Sequence, residues 1–231
     1  MEDARWRLSG AVAGMLFVVF LALTIALGTK PVSDKSVAHV VRTFSHHQHR
    51  TQAAAMFGAL AAFMFLWFLA HLRRLLVGRS PLFDRLAGGL MASGTAIAAI
   101  GAFNAIFAVA LDLAVNRPGV RPDDSLVLML NDLNNLFTGP LTILISLFML
   151  GFGLALRHRA FAAAWLAVPA FIASALSIIG GIANFYPSVD GKLNGITVLG
   201  FIGVLLSLLT ILITSILLAA ESTHTEAVAA A

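Results

Sequence analysis

The chain of 231 residues contains no cysteine and few charged side chains. Without thiols it can form no disulfide, thiolate metal site, iron–sulfur cluster or cysteine nucleophile. Aspartate, glutamate, lysine and arginine make up 11% of the residues, whereas soluble domains hold about 25%. Hydrophobic residues make up 59%. Because so little charge is left to cover a soluble surface, we expect nearly the whole chain to lie in lipid.

Six long apolar runs contain no charged residue. A helix needs about 20 residues to cross a hydrocarbon core about 30 Å thick, and a helix satisfies its own backbone hydrogen bonds there. The sequence therefore predicts an all-α integral membrane protein, a single domain of six transmembrane helices over residues 1–220 with a disordered tail at 221–231. The predicted spans cover residues 8–28, 53–70, 87–111, 133–156, 160–186 and 193–220.

An amphipathic segment separates the first two runs. Its apolar and polar residues recur at helical spacing on opposite sides, which predicts a helix outside the hydrocarbon core. The apolar face consists of Val37, Val40, Val41 and Phe44, and the polar face of His39, Arg42, His46, His49 and Arg50. We interpret this helix as a cover for the mouth of the bundle or as a contact to lipid headgroups.

The basic residues are mostly arginines at the ends of the runs, and the net charge is +4. We assign them to anionic lipid headgroups rather than to nucleic acid. With the amino terminus inside, eight basic residues fall on the cytoplasmic side and seven on the other, a slight positive-inside bias. The abundance of alanine and arginine suggests a bacterial chain. We therefore predict a multi-pass protein of the inner membrane with both termini in the cytoplasm.

Carboxylates and amides gather toward the side of the predicted bundle that lies opposite the termini. Acids at membrane depth are costly and mark functional sites, so Asp112 and Asp132 are candidates for ligand binding or acid–base catalysis. The alternative for Asp112 is an interfacial aspartate solvated by its neighbours. The predicted ligand-binding set comprises Arg50, Asn104, Asp112, Asp132, Asn135, Asn184 and Asn194. We expect Asp112, Asp132 and Asn135 to line one outward cavity.

Three histidines, His46, His47 and His49, lie close together in the amphipathic segment. Imidazole binds zinc, copper and nickel, but a zinc site needs three or four ligands fixed by outer hydrogen bonds. The cluster is incomplete as a metal site, so we interpret it as a solvated polar face and expect no metal or other cofactor; metal binding and a pH-sensing or proton-handling role are the alternatives. His71 and His158 stand beside arginines at helix ends, and we interpret them as headgroup contacts rather than haem ligands.

Small and hydroxylated residues form seams along the last three runs, and Gly10 with Gly14 forms a GxxxG pattern in the first. Such seams let helices pack closely and hydrogen-bond across the interface. A wetted cavity is the alternative interpretation of the hydroxyl-bearing seams. Neither interpretation identifies a ligand.

Three functions fit this pattern. The first is binding or transport of a small solute or lipid-like molecule through an outward-facing polar pocket, with the amphipathic segment as a lid. The second is an intramembrane enzyme that acts on a lipid or isoprenoid-like substrate by acid–base chemistry, and the third is a non-catalytic membrane partner or sensor. We favour the first, since the chain carries no protease or diphosphate-binding signature. It has no nucleotide-binding loop either, so transport would draw its energy from an ion gradient or from a separate subunit. The expected partners are the bilayer, the ligand, and a second copy or another membrane subunit.

Overall fold

The computed structural model describes residues 2–28, 36–117, 119, 123–158, 160, 162–184 and 195–230. Within these residues the regular structure is entirely helical, as predicted. The elements are α1 (Glu2–Leu27), α2 (Val37–His46), α3 (Gln48–Leu76), α4 (Pro81–Asn116), α5 (Asp124–Leu136), α6 (Thr138–Arg157), a 3₁₀ turn (Ala164–Leu166), α7 (Ala167–Ala183) and α8 (Gly195–Ala230).

Six helical segments are long and apolar enough to cross a membrane, which confirms the predicted multi-pass bundle. The segments are Trp6–Leu27, Gln48–Leu76, Pro81–Asn116, Asp124–Arg157, Ala164–Ala183 and Val198–Ser222. Each exceeds or approaches the roughly 20 residues that a 30 Å core requires. The amphipathic helix expected between the first two spans is α2.

The spans form a closed ring in which α1 packs on α3, α3 on α4, α4 on α6, α6 on α7, α7 on α8, and α8 on α1. Helices α2 and α5 pack against α4 outside this ring. Trp6 of α1 and Leu218 of α8 line the same small cavity, so the two ends of the chain lie at one end of the bundle. We call this the terminal end and the opposite end the distal end.

Phenylalanine rings fill the middle of the bundle. The ring centroids of Phe17 and Phe65 are 4.6 Å apart, those of Phe65 and Phe148 are 5.3 Å apart, and those of Phe148 and Phe152 are 5.7 Å apart. Phe68 and Phe152 continue the contact toward the terminal end at 6.4 Å. Such stacked and edge-on pairs are the arrangements that the aromatic quadrupole favours. We call this group the phenylalanine core.

The small-residue seams serve close packing. A Cβ atom on Gly180 would collide with the backbone of Gly200, so α7 and α8 touch without intervening side chains. Across the neighbouring interface, the Ser174 hydroxyl lies 3.1 Å from that of Ser146 and donates to the Ser146 carbonyl at 2.9 Å. Among the described residues, these seams therefore serve close helix packing and hydrogen bonding between helices.

Three boundaries differ from those predicted. The fourth span breaks at Phe137, because Pro140 has no amide proton to donate to the carbonyl four residues earlier. The fifth helix begins at Ala167 rather than at residue 160, after the 3₁₀ turn. The last helix continues to Ala230, whereas a disordered tail was predicted after residue 220; no glycine or proline interrupts the backbone there.

Candidate ligand-binding site

The distal end of α4 is covered by two other helices. Val40 and Phe44, on the apolar face of α2, are buried in a hydrophobic cluster that α4 and α5 complete. The remaining buried members of this cluster are Leu111, Val115, Val127 and Leu130. The 3.6-residue period of the α2 sequence produces this one-sided face, which buries itself against α4 and α5. The apolar face of the predicted amphipathic helix therefore packs on the distal ends of α4 and α5.

Helix α4 is too long for the hydrocarbon core. Its 36 residues extend over about 54 Å at about 1.5 Å each, against a core of about 30 Å. If Arg85 marks the headgroup level at the terminal end, the core ends about 20 residues later, near Ala105. Asp112 then lies about 10 Å beyond the hydrocarbon. Packing with α2 and α5, rather than lipid, encloses this projecting part of α4.

Asp112 has no exposed surface, although it is a carboxylate near the end of a helix. Its Oδ2 atom accepts a hydrogen bond from Gln52 Nε2 of α3 at 3.0 Å, and its Oδ1 atom accepts one from Asn116 Nδ2 at 2.9 Å. Both donors are neutral amides. They orient the carboxylate and offset part of its desolvation, but they supply no countercharge.

The same amide ties α2 to Asp112. Asn116 Nδ2 lies 3.5 Å from the backbone carbonyl oxygen of Phe44 as well as within hydrogen-bond distance of Asp112. A displacement of α2 would therefore disturb one of the two donors to the carboxylate. Asn116 thus links the position of α2 to the position of the Asp112 carboxylate.

Helix α5 contributes buried amides to the same end of the bundle. Asn131 and Asn134, three residues apart and hence on one helix face, are buried, whereas Asp132 is exposed. Asp132 and Asp112 therefore do not share one buried cavity. The side chain of Asn135 lies outside the part that the structure describes.

The other predicted amides are spread over different depths. Asn104 lies two turns deeper in α4 than Asp112, and its Oδ1 atom is buried without a hydrogen-bond partner among the described residues. Asn184 is half-buried, directly after the last residue of α7. Asn194 lies outside the described residues. Asn104 is thus the one predicted amide that leaves a buried acceptor available to a ligand or water.

The Arg50 side chain contacts the end of α1 rather than Asp112. Its Nη2 atom donates to the carbonyl oxygen of Ala26 at 3.2 Å, and the side chain is exposed. This contact places positive charge at the negative end of the α1 dipole and satisfies a free carbonyl of the last turn. The interaction fixes the start of α3 to the end of α1.

The three clustered histidines lie at the junction of α2 and α3, with His46 ending α2, His47 between the helices and His49 in the first turn of α3. His46 and His49 are exposed, and His47 Nδ1 lies 2.9 Å from the carbonyl oxygen of Thr43. The described residues contain no group of three or more histidine, aspartate or glutamate side chains that could hold a metal ion. The metal alternative gains no support from this geometry.

His71 is buried, so its interpretation as a headgroup contact is wrong. Its Nε2 atom lies 3.0 Å from the hydroxyl of Ser9, its Nδ1 atom lies 2.8 Å from the carbonyl oxygen of Trp67, and its ring stacks on Trp6 at 4.0 Å. Gly10 makes room, because any Cβ atom there would collide with the imidazole. With both ring nitrogens engaged, His71 has no free atom for a haem iron. His158 is exposed at the end of α6.

Of the two amides that contact Asp112, Asn116 was expected as a neighbour that could solvate or pair with it, whereas Gln52 of α3 was not selected from the sequence. Gln52 and Asn116 hold the carboxylate, and Asn134 is buried on α5. Gln52 was detectable as the last polar residue before a charge-free run. Comparisons of the chain with protein-family models, curated proteins and solved structures find no match.

Proposed function

We propose that this membrane protein binds and carries a small solute or lipid-like molecule, with Asp112 as the central binding group at the distal end. The observation that carries the proposal is the buried Asp112 carboxylate, whose hydrogen-bond partners among the described residues are two neutral amides. A buried carboxylate costs several kcal/mol of desolvation free energy when no cation compensates it. A ligand that brings a proton, an amine or another cationic group would recover this cost.

The surroundings of Asp112 suit a site with controlled access. Helix α2 covers it on the distal side through Phe44 and Val40, and the phenylalanine core fills the bundle toward the terminal end. A solute that reaches Asp112 from the distal side would have to displace α2. Release at the terminal end would require the phenylalanine rings to separate, which is the alternation that carriers use.

We further propose that the distal end faces the outside of the bacterial inner membrane. Seven arginines of the described residues lie at the terminal end, namely Arg5, Arg7, Arg73, Arg74, Arg79, Arg85 and Arg157. Three lie at the distal end, namely Arg42, Arg50 and Arg117. Arginines close to span ends favour the cytoplasmic side, so both termini would be cytoplasmic.

The test uses purified full-length protein and an isosteric charge removal. Thermal unfolding is measured against a panel of amines, amino acids, sugars and isoprenoid alcohols, and any ligand that raises Tm is then tested with Asp112→Asn. The matched control is Asp132→Asn, which removes an exposed carboxylate from α5. We expect Asp112→Asn to abolish the shift and Asp132→Asn to retain it.

Reconstitution separates carriage from catalysis. A carrier moves the ligand unchanged into liposomes, and the Asp112→Asn variant should not. A ligand that is recovered chemically altered would instead support the intramembrane enzyme. Equal ligand-induced shifts in wild type and Asp112→Asn would refute the assignment of Asp112.

A further inference from the structure

A lipid-facing groove runs between α4 and α6 near the terminal end, far along α4 from Asp112. Its volume is about 520 Å³, within the range of about 300–1,000 Å³ typical of small-molecule sites. Leucine, glycine and alanine form most of its wall, and Arg85 is its one charged lining residue among those described. Ser93, also in the wall, donates its hydroxyl proton to the carbonyl of Gly89 within its own helix. The groove is therefore apolar along its length and cationic at one end.

The length of this α4–α6 groove corresponds to one leaflet. On α4 it extends from Arg85 to Ser93, a rise of about 12 Å, and on α6 from Leu144 to Leu154, about 15 Å. Half of a hydrocarbon core is about 15 Å thick. Arg157 follows one turn beyond Leu154, so a second exposed arginine lies at the same end of α6. An acyl chain could lie along the groove while its headgroup meets this end.

We infer that the α4–α6 groove binds one chain of an anionic phospholipid, with the guanidinium of Arg85 contacting its phosphate. Guanidinium pairs with phosphate through two parallel N–H donors, and basic sites between membrane helices select anionic headgroups. Leu147 and Leu150 are half exposed at 50% and 45%, as expected for a wall that lipid completes.

A transmembrane helix fits this groove less well. Close helix packing requires small residues on both surfaces, as Gly180 and Gly200 show elsewhere in this bundle. The α6 wall instead presents four leucines beside a single glycine, Gly151. Flexible methylene groups can fill the spaces between such side chains, whereas the rigid backbone of a second helix cannot approach them.

The chain offers a matched pair of variants for blocking the groove. A Cβ atom at Gly89, which lines the groove, or at Gly88, which does not, would meet no atom within 4 Å. Gly89→Leu should therefore fill the groove without a clash, and Gly88→Leu adds the same side chain to the adjacent position. Arg85→Gln removes the charge and leaves the apolar wall.

Native mass spectrometry of the full-length protein, released from detergent with added phosphatidylglycerol or phosphatidylcholine, tests the inference. Wild type and Gly88→Leu should retain one phosphatidylglycerol and discriminate against phosphatidylcholine, and Gly89→Leu should lose it. Arg85→Gln should weaken phosphatidylglycerol binding about fivefold, the factor for one arginine at an anionic surface. Inorganic phosphate at the same concentration should not displace the lipid, because it lacks the chain.

Three results would overturn the inference. Equal phosphatidylglycerol retention by wild type and Gly89→Leu would exclude the groove as the site. Equal binding of phosphatidylcholine would exclude recognition through Arg85. A protein dimer that dissociates in Gly89→Leu would show that a second copy of this chain occupies the groove.

Discussion

Gln52 Nε2 lies 3.0 Å from Asp112 Oδ2 and joins the second and third membrane spans through a carboxylate with no exposed surface. The Asn116 amide supplies the other described hydrogen bond to Asp112. Neither partner carries a charge. Among the described residues, the geometry therefore holds Asp112 in place through neutral amides and pairs it with no cation, unlike the carboxylate of a stabilising ion pair.

The first prediction is that Asp112→Asn raises thermal stability while it removes ligand binding. The amide keeps one carbonyl acceptor, and Gln52 can rotate its own amide to accept from the new N–H group, so the desolvation of a charge disappears at little loss of hydrogen bonding. We expect Tm to rise by about 2–4 °C, which corresponds to about 1 kcal/mol for a chain of this size. Asp132→Asn, on the exposed face of α5, should leave Tm nearly unchanged. A fall in Tm for Asp112→Asn would indicate a structural carboxylate.

The second prediction concerns the docking of α2. Phe44 is 1% exposed, and truncating a buried phenylalanine costs about 3–5 kcal/mol. Phe44→Ala should therefore release α2 and increase trypsin cleavage after the exposed Arg42 about tenfold or more, measured by mass spectrometry of the fragments. The control is Phe103→Ala, since Phe103 is 54% exposed on α4. Equal cleavage of both variants would show that Phe44 does not hold the helix.

The spans and the amphipathic helix were predictable because each depends on local sequence. Charge is excluded from a hydrocarbon core, so the six runs are visible as stretches between charged residues. The face of α2 follows from the recurrence of Val40 and Phe44 at four-residue spacing. Both properties are established before any helix contacts another.

The arrangement around Asp112 was not predictable to the same degree because it depends on helix rotation. Asn131, Asp132 and Asn134 fall within one turn of α5, and only packing against α4 decides which of them are buried. Similarly, His71 beside Arg73 resembles an interfacial residue, but the space left by Gly10 on another helix buries it. The sequence pattern of one helix does not show which residues of other helices will pack against it.

The third prediction contrasts the two histidines that stand at helix ends. His71→Ala removes the stack on Trp6, over which Arg74 also lies at 4.9 Å, and leaves a cavity, so we expect a loss of about 2 kcal/mol and a Tm lower by about 4–8 °C. His158→Ala should change Tm by less than about 1 °C because the side chain is exposed. Similar effects of the two substitutions would contradict the buried placement of His71.

The fourth prediction concerns orientation. A reporter fused after residue 231 should be active as a cytoplasmic fusion and inactive as a periplasmic one, because most arginines of the described residues lie at the terminal end. A second reporter inserted directly after Arg117, which follows α4 at the distal end, should show the opposite activity. Periplasmic activity of the terminal fusion would reverse the proposed direction of access to Asp112.

The fifth prediction tests the packing of α7 on α8 with two glycines in membrane-spanning helices. A Cβ atom on Gly180 would strike the backbone of Gly200, which cannot rotate away, so Gly180→Ala should force the helices apart and lower Tm. Overpacking of this kind costs about 1–3 kcal/mol, or about 2–12 °C here. Gly101 on α4 has open space where its Cβ would be, so Gly101→Ala should raise stability by up to about 1 kcal/mol through helix propensity. The two substitutions add the same methyl group, so an unchanged or raised Tm for Gly180→Ala would show that α7 and α8 are not in backbone contact.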